Sequence, residues 1–406
     1  MMADTAHIGR GPPAQAAAID TRLKRPASEE CSLGRIDVHG DPGPALAAWA
    51  ELEAIAPGSL YQTRRWLLPW IATAGRAAAI EPLLVVGYRD DVPVVFLPLG
   101  VARRGGLRVA GFLGGKDSNT NIGLFRPGED FNRVDLRALF AAASKKAALK
   151  PDLFVLANQP ERRENIGNPL VSAFRHQPSP SDCHRGNLEP QFDAFLRRHL
   201  SADARKNLRR KLKRLAEVGP VSHIRAKTER EVDRILQAFF AQKRERLTRM
   251  GAAGAFADPS THAFLAAAAC AGLATDGAAI ELHALTLGER IVATFGGGTH
   301  RGCFYAMINS FDLDPEIARF SPGELLLARL VEEKCCAGLV SFDLGIGEAR
   351  YKDTWCDVVE PLFDTIVPIS MKGRAAACSE SVWLRTKRFV KQSSWAWALV
   401  QKLRAG

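Results

Sequence analysis

Residues 279–345 set the tightest limit on what this chain can fold into. The stretch AIELHALTL-GE-RIVATFGGG-THRG-CFYAMINSF, hyphenated at its turns, reads as three antiparallel strands joined by short glycine-bearing connections. Its alternation places Ile280, Leu282 and Ala284 on one face, matched by Ile291, Ala293 and Phe295. SPGELLLARLVEEKCCAG follows with the marks of a helix: Ser321 as a cap, Pro322 at the first helical position, Glu324 completing a capping box, and Gly338 as the stop. LVSFDLG is then a further strand. A helix between the last meander strand and the next strand implies a crossover, and hence a mixed sheet of the α/β class.

The remaining sequence divides around this core. Residues 1–35 combine Gly, Pro, Ala and charge without a continuous apolar segment, and are expected to be a disordered tail. Residues 36–190 read as one α/β unit. It has helices in PALAAWAELEAIAP and TRRWLLPWIATAG, strands through EPLLVVGYRDDVPVVFLPLGVARRGGLRVAGFLG, a helix RVDLRALFAAASKKAAL and a strand DLFVLANQ. Residues 191–372 read as a second. Ser201 caps a basic helix that stops at Gly219-Pro220, and Thr228 with Glu231 opens a long helix that ends at Gly251.

A chain of 406 residues, 47% hydrophobic and 24% charged, has the composition of a globular protein of about two domains. The net charge of +11 favours anionic partners: nucleic acid, an anionic membrane surface or a phosphate-bearing cofactor. The eight cysteines include no C-x-x-C and no Cys/His pairing at zinc-finger spacing, so a reduced, cytoplasmic chain with no metal is expected. Asp182-Cys183-His184 reads as a loop rather than a thiol–base pair. The longest apolar run, 263–274, is shorter than the roughly 20 residues that span a bilayer.

The order LGERIVATFGGG, FDLDPEIARFSPGELLL, FDLGIGEARYKDTW resembles the CelD-like (cellulose biosynthesis) acetyltransferases of the GNAT superfamily, relatives of the Fem-type aminoacyltransferases. Pro322 and Gly323 match that group's helix start, and Asp343, Gly347, Tyr351, Lys352 and Trp355 match its strand–turn segment. LYQTRRWLLPW and GFLGGKDSNTNIGLF extend the likeness over about residues 36–370. The resemblance implies two tandem GNAT-like units. The second would bind acetyl-CoA or another acyl-CoA, its pantetheine beside a splayed strand and its pyrophosphate at the helix start formed by Ser321, Pro322, Gly323, Glu324 and Leu325. The phosphate loop usual in GNAT proteins is here reduced to Pro322-Gly323 followed by an acid.

Four residues are catalytic candidates. Asp343 is either a general base at a strand end or a cap on the Gly345 and Gly347 amides, and Glu348 is either loop surface or an acid–base group. Tyr351 is either a proton donor to the departing thiolate or a packed aromatic; Lys352 holds a phosphate or an acceptor carboxylate, or pairs with Asp343. Lys243, Arg244, Asn119 and Asn121 are candidates for a cleft between the units, and Trp355 is a substrate platform or, more simply, core. His283 and His300 have no partner visible in the sequence and take no role.

Two regions carry charge in a pattern. Seven of residues 205–214 are Lys or Arg, either a solvated helix face or a surface for phosphates. Residues 379–404 combine six basic residues and three tryptophans with helical spacing through Val382, Phe389, Ala396, Val400 and Leu403. They form either a docked helix or an amphipathic one on an anionic membrane, which would place the protein at its inner face. The expected activity is transfer of an acyl group to an amine or hydroxyl, with a small-molecule or saccharide acceptor from envelope polysaccharide synthesis. The alternatives are transfer from aminoacyl-tRNA and a non-catalytic subunit of a polysaccharide-synthesis complex.

Overall fold

The computed structural model describes residues 30–250, 258–275 and 277–393. Most of the expected N-terminal tail, the helix stop at Gly251, and residues 394–404 of the C-terminal segment lie outside the described residues.

Two mixed sheets face one another. The first runs, in spatial order, Arg35–His39, Glu81–Arg89, Val92–Arg104, Leu107–Phe112, Leu153–Pro160, Leu362–Pro368 and His176–Pro178, with Leu124–Phe125 pairing Val92–Arg104. The second runs Val221–Arg225, Glu281–Leu287, Arg290–His300, Cys303–Phe311, Ser341–Ile346, Cys183–Asn187 and Val358–Glu360. Each has four antiparallel strands, then a helix (Arg133–Lys146 or Pro322–Cys336) that returns the chain as a parallel fifth strand. Each also places two helices between its first two strands, Leu46–Ile55 and Arg64–Trp70 in one, Glu229–Arg249 and Pro259–Cys270 in the other. The shared order makes the chain a tandem of two GNAT-like α/β units.

The units are not separable along the sequence. The sixth strand of the first sheet, Leu362–Pro368, comes from the second half, and the sixth strand of the second sheet, Cys183–Asn187, comes from the first. The division expected between residues 190 and 191 therefore follows the chain but not the sheets.

Alternation explains the layers. Leu84 and Val86 of one strand face the helices between the two sheets, while Leu83 and Val85 face Arg133–Lys146 on the outside. The central layer draws from both units: Trp49, Trp66 and Phe96 pack with Ile235, Phe264, Leu282 and Tyr305. Trp66 meets Phe264 edge-on at 4.7 Å between ring centroids. The outer face of the second sheet is covered by Phe192–His199, the basic helix Ala202–Val218 and Pro322–Cys336.

One alternation differs from expectation. Leu285 pairs with Ala293 but Thr286 with Ile291, so Val292 is extra and the strand bulges. Ile291 therefore turns to the central layer with Leu282 and Ala284, whereas Ala293 and Phe295 turn to the outer one.

The C-terminal helix begins earlier than expected, at Met371, and runs to Gln392. Ser370 caps it and its inner side buries Gly373 and Leu384 against the first sheet. Its outer side leaves Val382, Trp383 and Phe389 exposed. No described helix is long and apolar enough to cross a membrane.

Candidate active site

The site grows from a fork between two parallel strands. Cys303–Phe311 pairs with Ser341–Ile346 at three positions, Cys303/Ser341, Phe304/Phe342 and Tyr305/Asp343, and then the strands part. Two irregularities open the fork. On one side Gly296 pairs with Ile308 and Gly297 with Ala306, leaving Met307 as a bulge residue. On the other, the register slips between His184 and Arg185. The edge of 306–311 that faces the fork has no strand partner among the described residues.

Asp343 sits at the vertex, fully buried. Its Oδ1 accepts from the Gly345 amide at 2.6 Å and the Cys183 thiol at 3.1 Å, and its Oδ2 has no hydrogen-bond partner among the described residues. The capping role is thus met at Gly345 only, since Gly347 donates to the Asp182 carbonyl. A buried carboxylate oxygen left without a partner is an acceptor open to a donor from a ligand.

The first unit closes the vertex. Asn119 Nδ2 donates to the Tyr61 hydroxyl at 2.8 Å, and the Tyr61 ring meets Tyr305 edge-on at 5.7 Å. Gly345 has a φ of +76°, and a Cβ there would lie 2.5 Å from the Asn119 amide, so this turn requires glycine twice over. Burial, with the Asp343 charge adding to it, holds the Tyr61 and Cys183 groups well above their ordinary pKa values. Cys183 is therefore a thiol donor rather than a nucleophile. Its sequence neighbour His184 faces Glu348 instead, 3.4 Å away.

Inside the fork, Asn309 Nδ2 donates to the Tyr351 hydroxyl at 3.1 Å. Burial raises the Tyr351 pKa, against a lowering by that bond, so the hydroxyl keeps its proton at neutral pH. Lys352 turns inward: its ammonium donates to the Gly345 and Ile346 carbonyls at 3.0 and 2.9 Å and fastens the turn. That contact replaces the expected phosphate, carboxylate or Asp343 pairing. Glu348 is on the exposed loop.

The helix start lies at the open end of the fork. A Cβ on Gly323 would be 3.3 Å from the Phe311 ring, so this end of the helix abuts the last residue of the splayed strand. The expected capping box does not form, because Ser321 adopts left-handed backbone (φ 54°) and its hydroxyl makes no cap bond. Ser321 Oγ and Glu324 Oε2 both receive Lys211 Nζ instead, at 3.0 and 2.8 Å. Pro322 and Leu325 are buried. Beside them the basic helix contributes Arg210, Lys211 and Arg214, and Arg319 joins them around a recess of about 430 Å³.

The other candidates fall outside the fork. Trp355 is fully buried, its ring 6.0 Å from Phe195, and is core rather than a platform. Asn121 is buried and ties its loop to the Ala157 and Asn158 carbonyls. Lys243 lies 5.9 Å from the Phe239 ring with its pKa lowered by burial to about 8, and Arg244 is exposed on the same helix. Sequence reasoning missed Tyr61, Asn309 and Tyr305. It also missed Arg163, which is 4% exposed, lies 3.8 Å from Glu360 and has no hydrogen bond at Nε or Nη1 among the described residues. Tyr61 lay within LYQTRRWLLPW, so a signal for it existed.

A splayed parallel pair leading into a helix start is the donor geometry expected above, and the family comparison falls on that part of the chain. Residues 202–353 match the model described as acetyltransferase (GNAT) domain. Residues 202–353 are therefore similar to GNAT acetyltransferases. No curated protein matches the chain. Among solved structures, FemX is similar at 12% identity with a TM-score of 0.57, over 82% of this chain and 97% of that one. L-PGS from Bacillus licheniformis gives 12% and 0.49 over 87% and 98%. A tandem GNAT protein from the clavulanic acid biosynthesis pathway gives 12% and 0.46 over 82% and 98%. The FemX likeness shows a shared fold over most of the chain, beyond residues 202–353.

Proposed function

We propose that the protein transfers an acetyl or other acyl group from acyl-CoA to an amine or hydroxyl of a saccharide precursor. The carrying observation is that the unpaired edge of 306–311 runs from the fork vertex to Phe311, which abuts the helix start at Gly323, and that Arg319 and the basic helix line a cationic recess beside that start. The unpaired edge offers amides and carbonyls to pantetheine. Arg210, Arg214 and Arg319 offer charge to the phosphates, with Lys211 already engaged by Glu324.

The chemistry follows from the side chains at the fork. Asp343 Oδ2 takes the proton from the acceptor N–H or O–H as its bond to the acyl carbon forms. The carbon–sulfur bond then breaks, and the Tyr351 hydroxyl returns a proton to the thiolate. A backbone amide of the splayed strand holds the oxyanion meanwhile. A second recess of about 460 Å³, lined by Arg65, Arg225, Lys227, Glu281 and Thr299, opens where the units meet. Its cations suit an acceptor bearing phosphate.

Calorimetry with acetyl-CoA should give one site per chain, and Arg210→Ala with Arg214→Ala should weaken it at least about tenfold, or about 1.4 kcal/mol. Absence of heat and of any thermal shift at millimolar donor would remove the coenzyme A reading and favour the non-catalytic one. The exposed cations Lys206, Arg209 and Lys213 on the same helix support a second reading, transfer from aminoacyl-tRNA. Salt-sensitive tRNA binding with no acetyl-CoA binding would select it.

The outer face of the C-terminal helix supports peripheral contact with an anionic membrane, since Val382, Trp383 and Phe389 are exposed beside Arg385 and Lys387. Phosphatidylglycerol vesicles should co-sediment the protein and Trp383→Glu should prevent it. Equal sedimentation of that variant would remove the helix from membrane contact.

A further inference from the structure

Away from the fork, the second sheet carries a cluster that the reaction above does not use. His223 lies on the edge strand Val221–Arg225 and His283 on its neighbour, where His223 pairs with Leu285 and His283 with Arg225. The two imidazoles are thus diagonal neighbours on one face. Helix Pro322–Cys336 lays Glu333 across that face.

Three donor atoms converge there. His223 Nε2 and His283 Nδ1 are 3.0 Å apart, and Glu333 Oε2 is 3.8 Å from the second and 4.0 Å from the first. A tetrahedral zinc ion with bonds of about 2.0–2.2 Å holds its ligand atoms roughly 3.3–3.5 Å apart, so shifts of a few tenths of an ångström would satisfy it.

The surroundings are arranged as an outer shell. Glu281 Oε2 is 3.6 Å from His283 Nε2, the position of a carboxylate that fixes a ligating imidazole. Lys334 Nζ engages Oε1 of both acids, at 2.9 Å on Glu333 and 2.8 Å on Glu281, which turns each Oε2 towards the histidines. His283 is fully buried and its Nε2 lacks a hydrogen bond among the described residues. His223 and Glu333 border a recess of about 600 Å³ with Leu212, Val221, Leu285 and Arg329, which supplies an entry path and room for water.

We propose that His223 Nε2, His283 Nδ1 and Glu333 Oε2 bind one zinc-class divalent cation, with water in the fourth position. Two imidazoles and one carboxylate suit zinc, cobalt or nickel rather than calcium or magnesium. The ion would fasten the sheet edge to the helix whose other end lies beside the cationic recess.

The test uses the full chain stripped with chelator, then titrated with Zn²⁺ by calorimetry and with Co²⁺ by visible absorption. One equivalent should bind, with the intense bands of tetrahedral cobalt, no thiolate charge-transfer band, and a higher melting temperature. His223→Ala, on a half-buried edge position, should weaken Zn²⁺ at least about a hundredfold with an unchanged far-ultraviolet spectrum, and Glu333→Gln at least about tenfold. If His223→Ala does not fold, Glu333→Gln alone decides. No heat and no cobalt bands in the wild type, a thiolate band, or undiminished binding by the folded variants would overturn the proposal.

Discussion

Asp343→Asn is expected to lower the rate of acyl transfer by about 10²-fold or more while leaving donor affinity near wild type. The substitution keeps the shape of the side chain and an oxygen that can accept from the Gly345 amide, so the turn at the vertex persists. What it removes is the free carboxylate oxygen, a buried acceptor at the vertex with no hydrogen-bond partner among the described residues. The measurement is steady-state thiol release from acetyl-CoA with an active acceptor, beside a melting curve. Wild-type turnover in a folded variant would reduce Asp343 to a turn cap. Tyr351→Phe is the companion: it deletes one hydroxyl from the fork and should slow turnover without unfolding, because the ring keeps its packing.

Gly373→Ala is expected to destabilise the protein by about 3 kcal/mol, at the upper end for overpacking, because the obstruction is backbone rather than a movable side chain. A Cβ at 373 would lie 1.8 Å from the Asp152 carbonyl oxygen. That oxygen accepts from the Ile369 and Ser370 amides, at 2.9 and 3.0 Å, while the Asp152 carboxylate receives Ser370 Oγ and Arg108. Pushing the helix away would break this junction, which joins the terminal helix to the parallel strand of the first sheet. Denaturant unfolding is the check, with Gly167→Ala as control, since no described residue lies within 4 Å of a Cβ there. A Gly373→Ala midpoint equal to that of the control would mean that the helix docks too loosely to matter.

The meander, the crossover helix and the following strand were legible because each carries its own local signal: alternation, turn glycines, Pro322 at a helix start. The candidate site was legible in part, for the same reason. Asp343 and Tyr351 lie in one contiguous stretch and reach the fork together. Lys352 misled because its neighbours suggested a ligand contact, whereas a half-turn of helix carries its ammonium back to two carbonyls of its own loop. Ser321 misled because the sequence pattern of a capping box says nothing of Lys211, 110 residues away, which takes both of its oxygens. Asn119 was named only as a cleft candidate, and Tyr61 and the His223–His283 pair not as sites at all, because their partners come from other strands or from the other unit. Distance in sequence hides a contact that only the register of a sheet creates.

The reciprocal strands carry a consequence for biosynthesis. When residues 36–178 have emerged from the ribosome, the first sheet has its meander and its parallel strand, but the edge of Leu153–Pro160 still awaits Leu362–Pro368. The nascent chain must therefore hold an incomplete, apolar sheet edge exposed for almost two hundred further residues of translation. Cys183–Asn187 waits likewise for Ser341–Ile346. Neither sheet is complete until residues of both halves are present, so a chain broken between them is expected to give two fragments that each lack a strand of their own sheet.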